Sequence, residues 1–158
     1  MYPNASRMRL PDGYEVATGE VPLLEWDHVE QRLTEARQYW LVTVGRGRRP
    51  HAVPVWGLWI RWHLFFDGLG TARWARELAE NPSITVHLES GEDVVILEGE
   101  AEDAVPDPAT SALIAQLWQR KYGRLVPEPA RGIYRLRPSL ARAWTRFPED
   151  ATRWRFDQ

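Results

Sequence analysis

The sequence contains no cysteine. That excludes disulfides, thiolate metal ligands and cysteine nucleophiles. Lysine is almost missing as well. Of 20 basic residues only Lys121 is a lysine and the rest are arginine, a skew that goes with a GC-rich genome. No apolar run approaches the ~20 residues that span a bilayer. The opening residues, MYPNASRMRLPDGYEV, lack the apolar stretch of a signal peptide. Charge of one sign is not in excess: the formal net charge is -2, which argues against nucleic acid or an anionic membrane as partner. Gly-x-Ser-x-Gly, P-loop and His-x-x-x-His patterns do not occur, so the common nucleophile, nucleotide and zinc signatures are missing. The expectation is a cytoplasmic protein with no membrane and no nucleic-acid partner.

What is present suits one domain with a core of its own. The chain has 158 residues, 44% of them hydrophobic and 27% charged, ordinary values for a globular protein. Tryptophan is the exception, with 9 copies. Trp40, Trp56, Trp59, Trp62 and Trp144 fall on expected strands, where they can fill a core, wall a flat-ligand pocket or form a subunit interface.

Residues 1–23 show no periodicity and read as an N-terminal arm. EWDHVEQRLTEARQ places Val29, Leu33 and Ala36 at helical spacing. YWLVTVG is a strand closed by the turn RGRRP. HAVPVWGLWIRWHLFFDG reads as two strands, residues 51–60 and 62–67, and Pro54 marks the first as an edge. Thr71 is the expected N-cap of a helix that ENP closes. SITVHL and DVVILEGEAEDA are two further strands around ESGE. PDPATSALIAQLWQRKYG is a helix capped by Asp107 and ended by Gly123. After a loop over 124–130, RGIYRLRP and LARAWTRF supply two last strands, and residues 149–158 form a polar tail. Short hairpin strands without a βαβ series predict a mainly β fold, an antiparallel barrel with added helices over residues 24–148.

The stretch GTARWARELAENP follows directly on HLFFDGL and poses the main chemical question. A helix N-terminus offers unpaired N–H groups and partial positive charge, an arrangement suited to anions. Thr71 adds a hydroxyl, Arg73 a fork of donors, and Gly68 and Gly70 allow close backbone approach. The same residues also make an ordinary capped helix, and local pattern does not separate the two. Elsewhere the plainer reading prevails. Arg46, Arg48 and Arg49 lie in a solvated turn, and Glu98, Glu100 and Glu102 alternate along an exposed strand face. His87 and Glu89 share a strand face without metal-ligand spacing, so no metal is expected.

RPHAVPVWGLW, FFDG and GTARWARELAENPSITVHLESGEDVVILEGEAE together resemble the split-barrel flavoprotein superfamily, which includes pyridoxamine 5'-phosphate oxidase and the deazaflavin-dependent reductases. The likeness runs from about Trp40 through YRLRP and RAWTRF. It implies an FMN-binding type of split barrel, a homodimer with the cofactor at the interface, and FMN or factor 420 as cofactor. It also implies hydride transfer from the cofactor ring to a small, flat, unsaturated substrate. The ring would lie along the strand carrying Val53, Pro54, Val55, Trp56 and Gly57, near Asp67 and Gly68. The phosphate would meet His51, Thr71, Arg73, Trp74 and Arg76.

The pattern also departs from the family. A Ser-Arg-Lys-like triplet falls on Ala72, Arg73 and Trp74, a strand arginine on His51, and a ring-facing glutamine on about Val94. ATRWRF stands where a pyridoxamine phosphate oxidase carries its substrate-holding Arg-Leu-His-Asp-Arg segment, which speaks against that activity. The alternative is a non-catalytic protein of the same fold that binds flavin, haem or another tetrapyrrole.

Overall fold

The computed structural model describes residues 3–14, 21–123 and 132–156. The elements are β1 (Asn4–Arg7), α1 (Trp26–Glu35), β2 (Tyr39–Val44), β3 (Pro50–Val55), β4 (Gly57–Ile60) and β5 (His63–Asp67). They continue with α2 (Arg73–Glu80), β6 (Ser83–His87), β7 (Val94–Ala104), α3 (Pro108–Tyr122), β8 (Ile133–Trp144) and β9 (Thr152–Arg155). The expected loop over 124–130 lies outside the described residues, as do residues 1–2, 15–20 and 157–158 of the arm and tail.

All pairings are antiparallel, and the strand order is β1-β9-β8-β7-β6-β2-β3. The branch point is β8. One edge pairs with β7 from Val94↔Trp144 to Ala104↔Ile133. The other edge is divided between β5, at Leu64↔Leu136 to Asp67↔Ile133, and β9, at Leu140↔Arg155 to Ala143↔Thr152. β4 pairs only with β5, and a single residue, Trp56, joins it to β3 at the far end of the path. The chain thus brings the two ends of the curled sheet together without pairing them. This is a split antiparallel barrel.

Alternating side chains fill the interior. Tyr39 and Leu41 of β2, Leu64 and Phe66 of β5, Val86 of β6, Leu97 of β7 and Leu136 of β8 are fully or almost fully buried. Helix α1 lays Val29 and Leu33 on this core, as its periodicity predicts. β4 is buried on both faces, because Leu58 and Ile60 point away from the barrel and pack with Phe65 under Ile114 and Trp118 of α3. At the N-terminus of α3 the Asp107 side chain accepts the Thr110 N–H at 2.9 Å, and Gly123 ends the helix at φ 64°. Both caps match expectation.

Three expectations change. RGIYRLRP and LARAWTRF are one twelve-residue strand rather than two. Pro138 does not break it, because it sits where the register shifts at Glu98/Gly99, and a bulge accommodates a residue without an N–H. The expected pair 51–60 and 62–67 is three strands, divided at Trp56. The arm and tail are not irregular throughout: β1 and β9 extend the sheet, with Trp154 buried in the core and Arg153 and Arg155 facing out.

Gly99 fixes the crossing at the bulge. A Cβ there would lie 2.1 Å from the Arg137 carbonyl oxygen and 2.8 Å from Pro138 Cα, both backbone atoms that cannot turn aside. Gly99→Ala should therefore cost about 2–3 kcal/mol, read as a lower denaturation midpoint. An unchanged midpoint would mean that the bulge is not packed this tightly.

Candidate functional site

The corner between β3 and α2 is built around Glu77. Its Oε2 accepts the hydroxyl of buried Thr43 at 2.5 Å, and its Oε1 accepts Arg73 Nε at 2.8 Å, one helical turn away. His51 on β3 is opposite Thr43 in the β2–β3 register and acts electrostatically on Glu77. The Glu77 carboxyl lies below its ordinary 4.5, held there first by the Thr43 hydrogen bond and then by Arg73 and His51, against partial desolvation. A Cβ on Gly45 would lie 2.8 Å from Glu77 Cγ. The glycine after β2 is thus what lets α2 approach this closely.

The helix terminus itself is open. Ala72, not Thr71, is the N-cap, and no side chain caps it. The first turn contains no acidic residue, and Arg76 reaches back to the Thr71 carbonyl. Arg73 spends Nε on Glu77, which orients the guanidinium and leaves its two terminal nitrogens outside that bond; the side chain is half exposed. His51, Thr71, Arg73 and Arg76 are therefore grouped around one exposed corner, together with the Glu77 carboxylate.

Two other candidate residues pack in the core. The Trp74 side chain is buried against Phe66, with centroids 5.6 Å apart, and edge-on to Tyr134 at 4.8 Å. Gly68 is needed for that packing, since a Cβ would lie 2.1 Å from Trp74 Cζ2. Its small size makes room for the indole. Of Ala72, Arg73 and Trp74, the last is thus a core residue and only the arginine offers a charge.

Along β3 the side chains alternate. Pro50, Ala52 and Pro54 face out, His51 and Val53 are half-buried, and Val55 is buried. The strand ends the sheet path, so its outer backbone edge has no partner strand among the described residues, as Pro54 suggests. At the split, Trp56 stacks on Tyr122 with centroids 4.7 Å apart and planes 5° from parallel. The Tyr122 hydroxyl lies 3.0 Å from the Gly57 nitrogen and 2.9 Å from its carbonyl oxygen, and Lys121 Nζ donates to the same carbonyl at 3.1 Å. Both polar groups of the first residue after the break are thus satisfied by the end of α3. Asp67, at the end of β5, acts electrostatically on Tyr122 from the other side. Phe66 is barrel core.

The sequence pattern of the pyridoxamine 5'-phosphate oxidase family matches residues 26–145. The chain belongs to this family. The match stops before β9, so the strand carrying Arg153 and Arg155 lies beyond it. No curated protein matches the chain. Solved structures of the same fold include an F420 reductase at 24% identity and TM-score 0.56, the match covering 84% of this chain and 98% of that one. A FAD-binding protein of Mesorhizobium loti is 16% identical at TM-score 0.59, with 82% and 94% covered. A haem-binding protein of Mycobacterium smegmatis is 19% identical at TM-score 0.62, with 78% of this chain and 56% of that one covered.

Within the family fold, Glu77 is the residue that pattern matching alone missed. The i, i+4 spacing from Arg73 was its only sequence signal. Because its pKa is lowered on folding, the stabilisation it provides is complete above about pH 4.5. That stabilisation is lost as pH falls through the lower folded value. Glu77→Gln should accordingly be less stable than the parent protein at neutral pH, with the difference shrinking below pH 4.5. Urea titrations of both proteins at several pH values test this. A gap that stays constant down to pH 3 would remove Glu77 from its place at the centre of the corner.

Proposed function

We propose that this protein is an oxidoreductase that binds a flavin or deazaflavin, FMN or factor 420, and transfers hydride between the ring and a small, flat, unsaturated substrate. The observation that carries this reading is the uncapped N-terminus of α2, with Arg73 oriented by Glu77, beside the unpaired edge of β3. A phosphate meets N–H donors, the helix dipole and the two terminal guanidinium nitrogens at the corner. The ring lies along Val53–Gly57, where an open strand edge presents backbone donors and acceptors and Trp56 supplies an aromatic surface. The cofactor provides the hydride chemistry, while the chain positions ring and substrate and excludes water.

The functional unit in this reading is a homodimer. The outward face of the sheet runs Pro54, Trp40, His87 and Ile96 across four strands, with Ala52, Val42 and Thr85 in the neighbouring row. Trp40 is 37% exposed and stacks on His87. Such a face, apolar apart from His87, Thr85 and the Glu98 that follows Thr85 in its row, is suited to a second copy, which would close the cofactor site. Trp40→Asp should shift the protein from dimer to monomer in analytical ultracentrifugation. A parent protein that is already monomeric would overturn this part of the reading.

A second reading, a non-catalytic carrier of haem, another tetrapyrrole or flavin, is favoured by one feature. Glu77 places negative charge inside the corner and weakens it toward a dianionic phosphate. Calorimetric titration with FMN, factor 420 and haem separates the two. The redox reading expects micromolar binding of FMN or factor 420, weakened about 10-fold or more by Arg73→Ala, and hydride transfer from the reduced cofactor. Haem binding with neither of the others would establish the carrier instead.

A further inference from the structure

Lys121 is the one lysine in a chain that otherwise uses arginine, and its surroundings differ from those of an ordinary surface ammonium. It sits at the end of α3, half-buried. Its Nζ donates to the Tyr39 hydroxyl at 3.0 Å and to the Gly57 carbonyl at 3.1 Å. Among the described residues no carboxylate lies within ion-pairing distance of it.

A neutral amine has two N–H groups and one lone pair. The two acceptors satisfy both N–H groups, and the tetrahedral nitrogen then directs its lone pair away from them. An ammonium would carry a third proton, for which this site offers no third acceptor among the described residues, and a charge that none of their carboxylates neutralises.

We propose that Lys121 is a nucleophilic amine and an acylation site, its Nζ held between the Tyr39 hydroxyl and the Gly57 carbonyl and open to a small activated acyl donor of the acyl phosphate class. The neutral Nζ adds to the acyl carbon, the N–C bond forms and the C–O bond to phosphate breaks. Phosphate leaves with the electron pair, and the Nζ proton passes to solvent.

The charged and titratable groups around Nζ agree with this chemistry. Burial draws the lysine pKa down from 10.5 to about 8, and the Arg37 guanidinium adds to the effect. Arg37 is fixed there by its bond to the Lys121 carbonyl at 2.8 Å and by its position over the Tyr122 ring. Burial, and then Tyr122, push Tyr39 well above its ordinary value, and burial raises Tyr122. Both therefore stay neutral phenols rather than phenolates that would hold a cation. Their rings, 5.2 and 5.7 Å from Nζ, favour the ammonium only weakly at those distances. Asp67 acts on Tyr122.

The acylated form also fits. An amide nitrogen keeps one N–H and serves one acceptor. The other acceptor is not orphaned, because the Gly57 carbonyl shares the Tyr122 hydroxyl proton with the Arg37 carbonyl, each at 2.9 Å, and the Tyr39 hydroxyl donates to the Leu33 carbonyl at 2.6 Å.

The 158 residues carry one lysine side chain besides the α-amino group, so the test is direct. The protein is incubated with acetyl phosphate between about pH 6.5 and about pH 9.5, and adducts are located by intact mass and peptide mapping. Lys121→Arg identifies the α-amino product. The expected result is acetylation at Lys121 about 10-fold faster at pH 7.5 than that of a free lysine side chain, with a rate that levels off above pH 8. Labelling confined to the α-amino group, a Lys121 rate no greater than that of the free side chain, or a rate still climbing at pH 9.5 would each overturn the proposal.

Discussion

The long antiparallel ladder between β7 and β8 is the constraint on which the rest of the structure depends. It runs through eleven registered pairs with one interruption, at Glu98/Gly99. The free edge of β8 is shared between two strands that diverge, and that sharing splits the barrel. β5 and β4 turn one way under α3, while β9 and β1 turn the other way. β6, β2 and β3 hang from the opposite edge of β7 and curl until β3 meets β4 at Trp56. Without the long ladder there is no surface to divide, and its bulge falls between the stretch of β8 paired with β5 and the stretch paired with β9. The close approach of Gly99 to the Arg137–Pro138 backbone is the local form of this global requirement.

The candidate site lies at the other end of that path and inherits its geometry. α2 follows β5 and must return across β2. Glu77 makes that return specific by joining Thr43 of β2 to Arg73 of its own helix. One carboxylate thus does structural work at a position where a ligand anion would also seek positive charge. The two demands are compatible because Arg73 meets them with different nitrogens. At the split, Tyr122 and Lys121 replace the missing ladder partner of Gly57, so the break remains open without buried backbone groups left unsatisfied.

Much of this was legible in the sequence, and the failures have physical causes. The Val29–Leu33 spacing, the Asp107 and Gly123 caps and the edge signal of Pro54 are local rules, and each held. Family resemblance supplied the split barrel, which no local rule contains. Pro138 misled because a proline at a bulge and a proline at a strand end look alike until the partner strand is known. The tail misled because polar and charged residues dominate its composition, although Thr152 and Trp154 alternate with Arg153 and Arg155 as a strand should. Trp74 and Gly68 stand out in the sequence as a position of the family triplet and as a glycine that lets backbone approach a ligand. Only packing shows that they contact each other. Lys121 and Tyr122 come to Gly57 from more than sixty residues away, beyond the reach of any motif.

The edge position of β3 bears on how the protein behaves in a crowded solution. An open strand edge is the usual point at which one chain recruits another into a growing sheet. Two of the six residues of β3, Pro50 and Pro54, are prolines, and neither brings an N–H to such an association. The strand can present a short run of polar backbone to a compact molecule, yet it makes a poor template for a full-length foreign strand. The barrel thus keeps one seam open while guarding it against aggregation.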